Sequence, residues 1–247
     1  LIDEYDQSLS SNIYNPEAER MRDVLRGFFE VIKTAYDSVR FVFLTGITKF
    51  AKISIFSSMN NLNDISMDNE YATLFGYTET EVRAYFSEYI DAGLKATGSS
   101  YDEYMARLKA KYDGNRFSPD SETTVYNPVS VGTFFSKGGR NFDNYWINTG
   151  SMKLLMDIAD RIDFDIANDV TEPISRSDIA LFDILSMASN DVDSYAYRSL
   201  LFQSGYLTIK GIDSKNSDAY ILDFPNDEVS EAYSVNLLGL HAGGRAA

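Results

Sequence analysis

The sequence contains no cysteine and only one histidine, His241, which lies near its end. The lack of thiols excludes disulfides, thiolate catalysis and cysteine-based zinc sites. A Ser-His-Asp triad is implausible because the single histidine lies near the end of the chain. The sequence has no run of about 18 apolar residues, so no transmembrane helix is predicted. No signal peptide is visible. Together these features favour a cytoplasmic protein without a membrane partner.

Positive charge is also scarce. The 247 residues include 22 Lys and Arg against 37 Asp and Glu, which gives a formal net charge of -15. Non-specific binding of nucleic acid needs a basic surface that displaces counterions, so direct nucleic-acid binding by this chain is not expected. The acidic balance instead favours solubility. The length allows one large domain or two small ones with real cores.

Common nucleotide and metal motifs are missing from these residues. There is no G-x-x-x-x-G-K-[ST] phosphate loop, no H-E-x-x-H and no EF-hand loop. Asp160, Asp163 and Asp165 lie close together but lack a helper glycine and a distal glutamate, so they are interpreted as a solvated acidic turn. Because Leu1 stands inside an apolar run, we expect a truncated chain with residues upstream of it. Residues 239–247 are expected to be a disordered or artificial tail.

Strand and helix signals alternate at the beginning of the chain. Leu1-Ile2 resembles the end of a buried strand that runs into acidic residues. Asn15-Pro16-Glu17 predicts a helix start, with a cap residue, a proline and an early acid, and the apolar spacing extends this helix to about Ala35. Phe41-Val42-Phe43-Leu44 is a short apolar run that stops at Thr45-Gly46. The order strand, helix, strand predicts a βαβ unit with a parallel sheet.

The middle of the chain is predicted to be mainly helical. Thr78 with Glu81, and Ser100 with Glu103, have the spacing of capping boxes. Other helical patterns cover residues 128–136, 151–161 and 179–187. Residues 53–56 fit either a strand or a helical turn.

The last part has a different pattern. A helix over 194–203 is followed by two alternating strand segments, 206–209 and 219–222, around a polar loop, and then by a helix over 227–238. A helix with a two-stranded wing is typical of a winged-helix domain. The candidate helix carries only Arg198, and the wing lysines stand beside aspartates. A packing role is therefore favoured over DNA contact.

Polar residues that could carry chemistry follow both early strands. Asp3-Glu4 comes after the first strand, and Thr45 ends the second. Open α/β sheets bind ligands at the carboxyl ends of their strands. An aspartate placed there can hold magnesium, a glutamate can polarise the attacking water, and a small polar residue can contact the γ-phosphate or that water. Each signal alone also fits an ordinary polar strand end, but their order favours a nucleotide site.

Short motifs in a fixed order are more specific. They are Leu1-Ile2-Asp3-Glu4-Tyr5-Asp6, Leu44-Thr45-Gly46-Ile47-Thr48-Lys49-Phe50, Asn60-Asn61-Leu62-Asn63-Asp64-Ile65, Tyr112-Asp113-Gly114-Asn115-Arg116-Phe117, Tyr126-Asn127-Pro128, Tyr145-Trp146 with Thr149-Gly150, Leu201-Phe202-Gln203-Ser204-Gly205-Tyr206-Leu207 and Phe224-Pro225-Asn226-Asp227-Glu228-Val229. Over about residues 1–238 this order resembles the bacterial AAA-ATPase-like family. Its members are P-loop ATPases usually followed by a PD-(D/E)XK nuclease-like domain.

The resemblance implies roles for individual residues. Asp3 and Glu4 would be the Walker B pair, with Asp3 as the magnesium ligand, and Thr45 would be the sensor. Arg116 would be a charge sensor or arginine finger, or else a structural arginine bonded to a carboxylate. ATP and Mg²⁺ are then expected in the intact parent but not in this fragment, because the phosphate loop would lie upstream of Leu1. A nuclease-like domain is a further expected partner in the parent.

The resemblance and the patterns together predict an α/β fold class. A partial P-loop NTPase sheet over 1–75 would be followed by a helical region over 76–190 and a winged-helix-like C-terminal domain over 191–238. The expected function is ATP binding and hydrolysis by the intact parent, with the fragment itself inactive. The alternative is a non-catalytic scaffold that positions a nuclease-like domain. Aromatic patches around Tyr85, Phe86 and Tyr89 and around Tyr101 and Tyr104 would then be contact surfaces, although their helical spacing favours core packing.

Overall fold

A computed structural model describes residues 1–47, 62–146, 152–159, 161–162, 170, 172–180, 187 and 194–243. Packing divides the chain into two compact units. The first contains Leu1–Asn63 and Asp157–Ser204, and the second contains Asp64–Met156 and Gly205–Ala247. Within the described ranges the chain is a mixed α/β protein, and none of its helices there is long and apolar enough to cross a bilayer.

The first unit begins with two short extended segments that run in parallel. Ile2 and Leu44 form a parallel β-bridge. The Ile2 amide donates to the Phe43 carbonyl at 2.9 Å, and the Thr45 amide donates to the Ile2 carbonyl at 2.9 Å. The parallel direction predicted by the strand, helix, strand pattern is therefore present at this bridge.

Two helices lie between these segments in the chain, α1 (Gln7–Ser10) and α2 (Ala18–Thr34), followed by a 3-10 turn at Tyr36–Ser38. Helix α2 begins later than its predicted cap, because the Asn15 side chain accepts from the Glu17 amide at 2.9 Å and so forms a turn ahead of the helix. Phe29 of α2 is buried, and its ring meets that of Tyr5 edge-on with 6.4 Å between centres. This contact anchors the acidic turn after the first segment to the helix.

The rest of the first unit is described only in part. Strand β1 (Ile174–Ser175) leads into α8 (Arg176–Ala180), and α9 covers Ser194–Gln203 as predicted. Arg198 of α9 is fully buried and its guanidinium donates to the Glu172 carbonyl. Its side chain thus packs inside the unit, and the packing role favoured for this helix stays a prediction.

The second unit starts with helices whose ends agree with their sequence signals. A 3-10 turn at Asn69–Tyr71 precedes α3 (Glu79–Tyr85), α4 (Ser87–Thr97), α5 (Tyr101–Tyr112) and α6 (Pro128–Ser136). Both predicted capping boxes are present, Thr78 with Glu81 and Ser100 with Glu103. Asn127 caps α6 by accepting from the amides of Val129 and Ser130. Helix α7 (Met152–Ala159) follows, and its last residues, from Asp157 on, belong to the first unit.

Aromatic rings form the core between these helices. Tyr104, Tyr112, Tyr126 and Phe134 are each at most 1% exposed. The Tyr104 hydroxyl donates to the Gly139 carbonyl at 2.6 Å, and burial raises the pKa of Tyr104 to about 12. Large rings of this kind supply much of the apolar area that stabilises a small unit. Aromatic residues make up 14% of the sequence, and in this core they serve packing.

A hairpin and a long helix complete the second unit. Strands β2 (Thr208–Ile212) and β3 (Ala219–Asp223) pair antiparallel, with a bulge between Ile209 and Gly211. Helix α10 (Asp227–Gly243) continues beyond its predicted end at 238, so the first residues of the expected tail are helical.

The compact units do not coincide with the boundaries predicted at 75, 190 and 238. Helix α9 belongs to the first unit, whereas the hairpin belongs to the second. The domain limits and the winged-helix assignment stay predictions. Several predicted features lie outside the described residues: 53–56, Asp160, Asp163, Asp165, 181–186, and the motif parts 48–50, 60–61 and 149–150.

Gly114 shows how closely the motifs of the second unit pack. Its φ is +106°, and an added Cβ would lie 2.0 Å from the Pro225 carbonyl oxygen. We expect Gly114→Ala to lower the free energy of unfolding by about 2 kcal/mol or more, because backbone strain adds to a clash with a rigid carbonyl. Gly132→Ala is the control, since nothing lies within 4 Å of that position in α6. Urea unfolding of both variants measures the difference, and equal stabilities would contradict the packing.

Candidate functional site

The ends of the two parallel segments bring Asp3 and Thr45 together. The Thr45 hydroxyl donates to Asp3 Oδ1, and the Glu4 amide donates to the same oxygen at 3.1 Å. The Tyr5 amide donates to the Thr45 carbonyl at 3.0 Å. Two polar residues that are 42 positions apart in sequence therefore form one hydrogen-bonded group, at the place where the sequence order predicted a nucleotide site.

Glu4 has an unusual backbone. Its φ is 50°, and among the residues that the structure describes it is the only non-glycine with a positive φ. This left-handed conformation costs an ordinary L-residue roughly 1–2 kcal/mol. The Gln7 amide closes the turn by donating to the Glu4 carbonyl at 3.0 Å. Strain of this kind is concentrated at functional sites, and the Glu4 side chain is exposed there.

The acidic turn offers the exposed carboxylate of Asp3 as a possible metal ligand. Within the described part of the chain, no group of three or more His, Cys, Asp or Glu is arranged to hold a metal. Mg²⁺ at nucleotide sites is typically held by one or two carboxylates, with waters and phosphate oxygens as the other ligands. The exposed Asp3 carboxylate is compatible with that mode of binding.

Asp6 joins the acidic turn to the loop after the second segment. Its side chain is buried, and Oδ1 accepts from the Ile47 amide at 3.1 Å. A Cβ on Gly46 would lie 2.6 Å from both this oxygen and the Tyr5 ring, so the loop rests directly on these residues. In the sequence Asp6 stood out only as part of a motif. The glycine directly after Thr45 was the available sign of close packing.

Arg116 lies in the second unit and is 7% exposed. Its Nε donates to the Ser118 carbonyl at 3.0 Å and its Nη2 to the Pro119 carbonyl at 2.8 Å. Nη2 also lies 3.4 Å from a carboxylate oxygen of Glu122. This geometry is that of a structural arginine bonded to a carboxylate. The charge-sensor or arginine-finger role stays a prediction.

Glu228 is a buried acid that sequence reasoning did not single out. One carboxylate oxygen accepts from the Tyr145 amide and, at 2.8 Å, from the Trp146 amide, while the other accepts from the Ser130 hydroxyl at 2.6 Å. Burial raises the pKa of Glu228, although these hydrogen bonds and the charge of Lys111 oppose the rise. The carboxylate therefore joins α10 to α6 and to the Tyr145-Trp146 segment. An acid within a run of motif residues was the only sequence signal.

A second link joins two other motifs. The Asn226 side chain caps α10 by accepting from the Val229 amide at 3.1 Å and donates to the Asp113 carbonyl at 2.8 Å. The Asp113 carboxylate is buried and accepts from the Thr124 hydroxyl at 3.1 Å. Burial raises the pKa of this carboxyl, and hydrogen bonds from the Gly114 amide and the Thr124 hydroxyl, together with the nearby charge of Lys109, oppose the rise. The later motifs thus hold the second unit together.

Comparison with known proteins agrees with the resemblance. Residues 1–56 match the sequence profile of a family described as predicted AAA-ATPase. An uncharacterized protein in the vnfD 5′ region of Azotobacter chroococcum mcd 1 is 36% identical over 241 residues, which are 96% of this chain and 42% of that relative. The chain therefore spans less than half of the relative's length. No solved structure matches the chain.

The matched segment contains the parallel bridge, helices α1 and α2 and the Asp3–Thr45 contact. The resemblance to an AAA-ATPase-like family is thus confirmed at the N-terminus, while nothing in these comparisons concerns a nuclease-like domain. Residues 1–56 of the chain are therefore similar to the predicted AAA-ATPase family.

Proposed function

We propose that these 247 residues are part of an ATPase whose whole form binds and hydrolyses ATP with Mg²⁺ at the ends of the two parallel segments. The observation that carries the proposal is the hydrogen bond between Asp3 and Thr45, inside the segment that matches the predicted AAA-ATPase family. Because the chain spans 42% of its relative, the activity is proposed for the whole protein that contains it.

In this proposal the parallel bridge is part of a P-loop NTPase sheet, with Asp3 and Glu4 as its Walker B pair. Bound Mg²⁺ would neutralise charge on the β- and γ-phosphates. The Asp3 carboxylate would hold the ion directly or through water, and the Glu4 carboxylate would accept a hydrogen bond from the attacking water. Thr45 is the sensor, and its hydroxyl also orients Asp3. The glycine-rich loop that would bind the phosphates is not among these residues.

Other parts of the proposal rest on the resemblance and the composition alone. They are the winged-helix character of α9 with the hairpin, the charge-sensor role of Arg116, a nuclease-like domain in the whole protein and a cytoplasmic location. None of them is needed for the nucleotide site.

Asp3→Asn in the whole protein tests the metal assignment. The Mg²⁺ concentration that gives half-maximal ATP hydrolysis should rise about tenfold or more, because a neutral amide binds a hard cation less well than a carboxylate. The Asn oxygen can still accept from the Thr45 hydroxyl and the Glu4 amide, so thermal stability should change little. Asp37→Asn, at an exposed acid on the same unit, is the matched control. An unchanged Mg²⁺ dependence in Asp3→Asn would remove Asp3 from the metal site.

A second candidate is a non-catalytic scaffold, and one observation favours it. Tyr85 and Tyr89 are 68% and 52% exposed, although their helical spacing predicted core packing. Phe86, between them, is stacked on Phe135 with 5.0 Å between ring centres. The centre of the Tyr89 ring lies 6.0 Å from that of Phe135, and Tyr89 so continues the core aromatics to the surface, where it and the exposed Tyr85 would contact a partner domain. A whole protein without Mg²⁺-dependent ATP turnover, in which Tyr85→Ser with Tyr89→Ser weakens association between its domains, would favour the scaffold.

A further inference from the structure

We propose that Asp6 is a positioning residue, which holds the Thr45 hydroxyl against Asp3 through the turn at Gly46 and Ile47. The inference rests on the proposed function, because the geometry that Asp6 maintains is that of the nucleotide site. It concerns a residue to which the Walker B and sensor roles assign nothing.

The Asp6 carboxylate is not used to cap a helix. Asp6 stands at the N-cap of α1, yet its side chain makes no capping hydrogen bond. The backbone carbonyl of Asp6 instead accepts from the amides of Leu9 and Ser10. A buried carboxylate needs hydrogen-bond partners to offset its lost hydration, and Asp6, at 1% exposure, bonds the Ile47 amide across 41 positions of sequence.

Close packing makes this link stiff. A Cβ on Gly46 would meet Asp6 Oδ1 and the Tyr5 ring at 2.6 Å, so the turn has no room to move toward the acidic segment. Thr45 is fixed on the other side, because its amide bonds the Ile2 carbonyl and its carbonyl accepts from the Tyr5 amide. Asp6 supplies a side-chain hydrogen bond that holds the far end of the same turn.

Loss of this hydrogen bond should therefore act through Thr45. The turn would relax, the Thr45 hydroxyl would leave Asp3 Oδ1, and the Asp3 carboxylate would lose one of the donors that orient it. Displacements of about 1 Å at a reacting group can lower a rate by about 10²-fold. Nucleotide affinity should change much less, since most phosphate contacts in such enzymes come from the phosphate-binding loop.

The test is a double-mutant cycle in the whole protein. Asp6→Ala should lower kcat for ATP about tenfold or more with a KM within about threefold of wild type. Asp6→Asn should recover most of the kcat, because its side-chain oxygen can accept from Ile47. If Asp6 acts through Thr45, Asp6→Ala should cause no further loss of kcat in a Thr45→Ala background. An equal loss of kcat in both backgrounds would overturn the proposal, because a purely structural defect does not depend on Thr45.

A second measurement needs no catalysis. In the 247-residue chain, Asp6→Ala should speed amide hydrogen exchange at Ile47 by about tenfold or more, while Asp6→Asn stays close to wild type. Should Asp6→Ala fail to fold, Gly46→Ala provides the same test by pushing the turn away from Asp6. A whole protein that hydrolyses no ATP would reject the proposed function. Unchanged exchange at Ile47 would separately overturn the role of Asp6.

Discussion

Glu4→Gln in the whole protein should bind ATP and Mg²⁺ as wild type does but hydrolyse ATP at least about 10²-fold more slowly, the range expected when a general base is removed. Glutamine keeps the size of glutamate but cannot accept a proton from water. It also shares the left-handed backbone of position 4 at a similar energetic cost, so the melting temperature should stay within about 2 °C. Single-turnover hydrolysis of prebound ATP separates the chemical step from binding.

The matched control for this variant is Glu30→Gln, at an exposed acid on α2 of the same unit. It removes the same charge without touching the acidic turn, and its turnover should equal that of wild type. Hydrolysis that is equally fast in Glu4→Gln would remove Glu4 from the mechanism. A loss of ATP binding in place of hydrolysis would assign Glu4 to the nucleotide pocket and not to the attacking water.

Glu228→Ala should destabilise the chain by about 3 kcal/mol or more, because it leaves the Tyr145 amide, the Trp146 amide and the Ser130 hydroxyl without their acceptor, each at about 1–3 kcal/mol. Glu228→Gln is the matched control. Its amide oxygen can accept from both backbone donors and its amide nitrogen can donate to Ser130, so we expect a change within about 1 kcal/mol. Chemical denaturation of the two variants measures the difference, and an equal loss in both would show that charge matters more than hydrogen bonding.

The raised pKa of Glu228 predicts that the stabilities of wild type and Glu228→Gln depend differently on pH. Burial raises the pKa of Glu228 in the folded chain above the unfolded value of about 4.3. Between these two pKa values the folded state binds more protons than the unfolded state, so the contribution to stability is complete below the unfolded pKa and is lost as pH rises through the folded pKa. Wild type should therefore lose stability relative to Glu228→Gln as pH rises from about 4 toward neutrality. A constant difference over that range would contradict the raised pKa.

Local signals were enough to predict several elements. The capping boxes at Thr78 and Ser100 each satisfy donors at a helix start within three residues, so no distant contact was needed to recognise them. The contact between Asp3 and Thr45 was also predictable, because parallel strands bring their carboxyl ends to one edge. Element type and the first part of the candidate site follow from such patterns.

Other features depended on contacts that a single sequence does not show. The buried Glu228 carboxylate accepts from the Tyr145 amide, 83 positions away, and the buried Asp6 carboxylate accepts from the Ile47 amide, 41 positions away. Tyr85 and Tyr89 share the helical spacing of core residues, but a break at Phe86 separates α3 from α4 and both tyrosines stay exposed. Asn15 turned out to form a turn ahead of α2, because its side chain bonds the Glu17 amide before the helix begins.

Steady-state ATP hydrolysis by the whole protein, with Mg²⁺ and with the metal chelated, tests the central claim most directly. The geometry at Asp3, Glu4 and Thr45 predicts turnover that requires Mg²⁺ and that Glu4→Gln abolishes while ATP still binds. Wild-type protein that binds no ATP, or turnover that persists in Glu4→Gln, would contradict it.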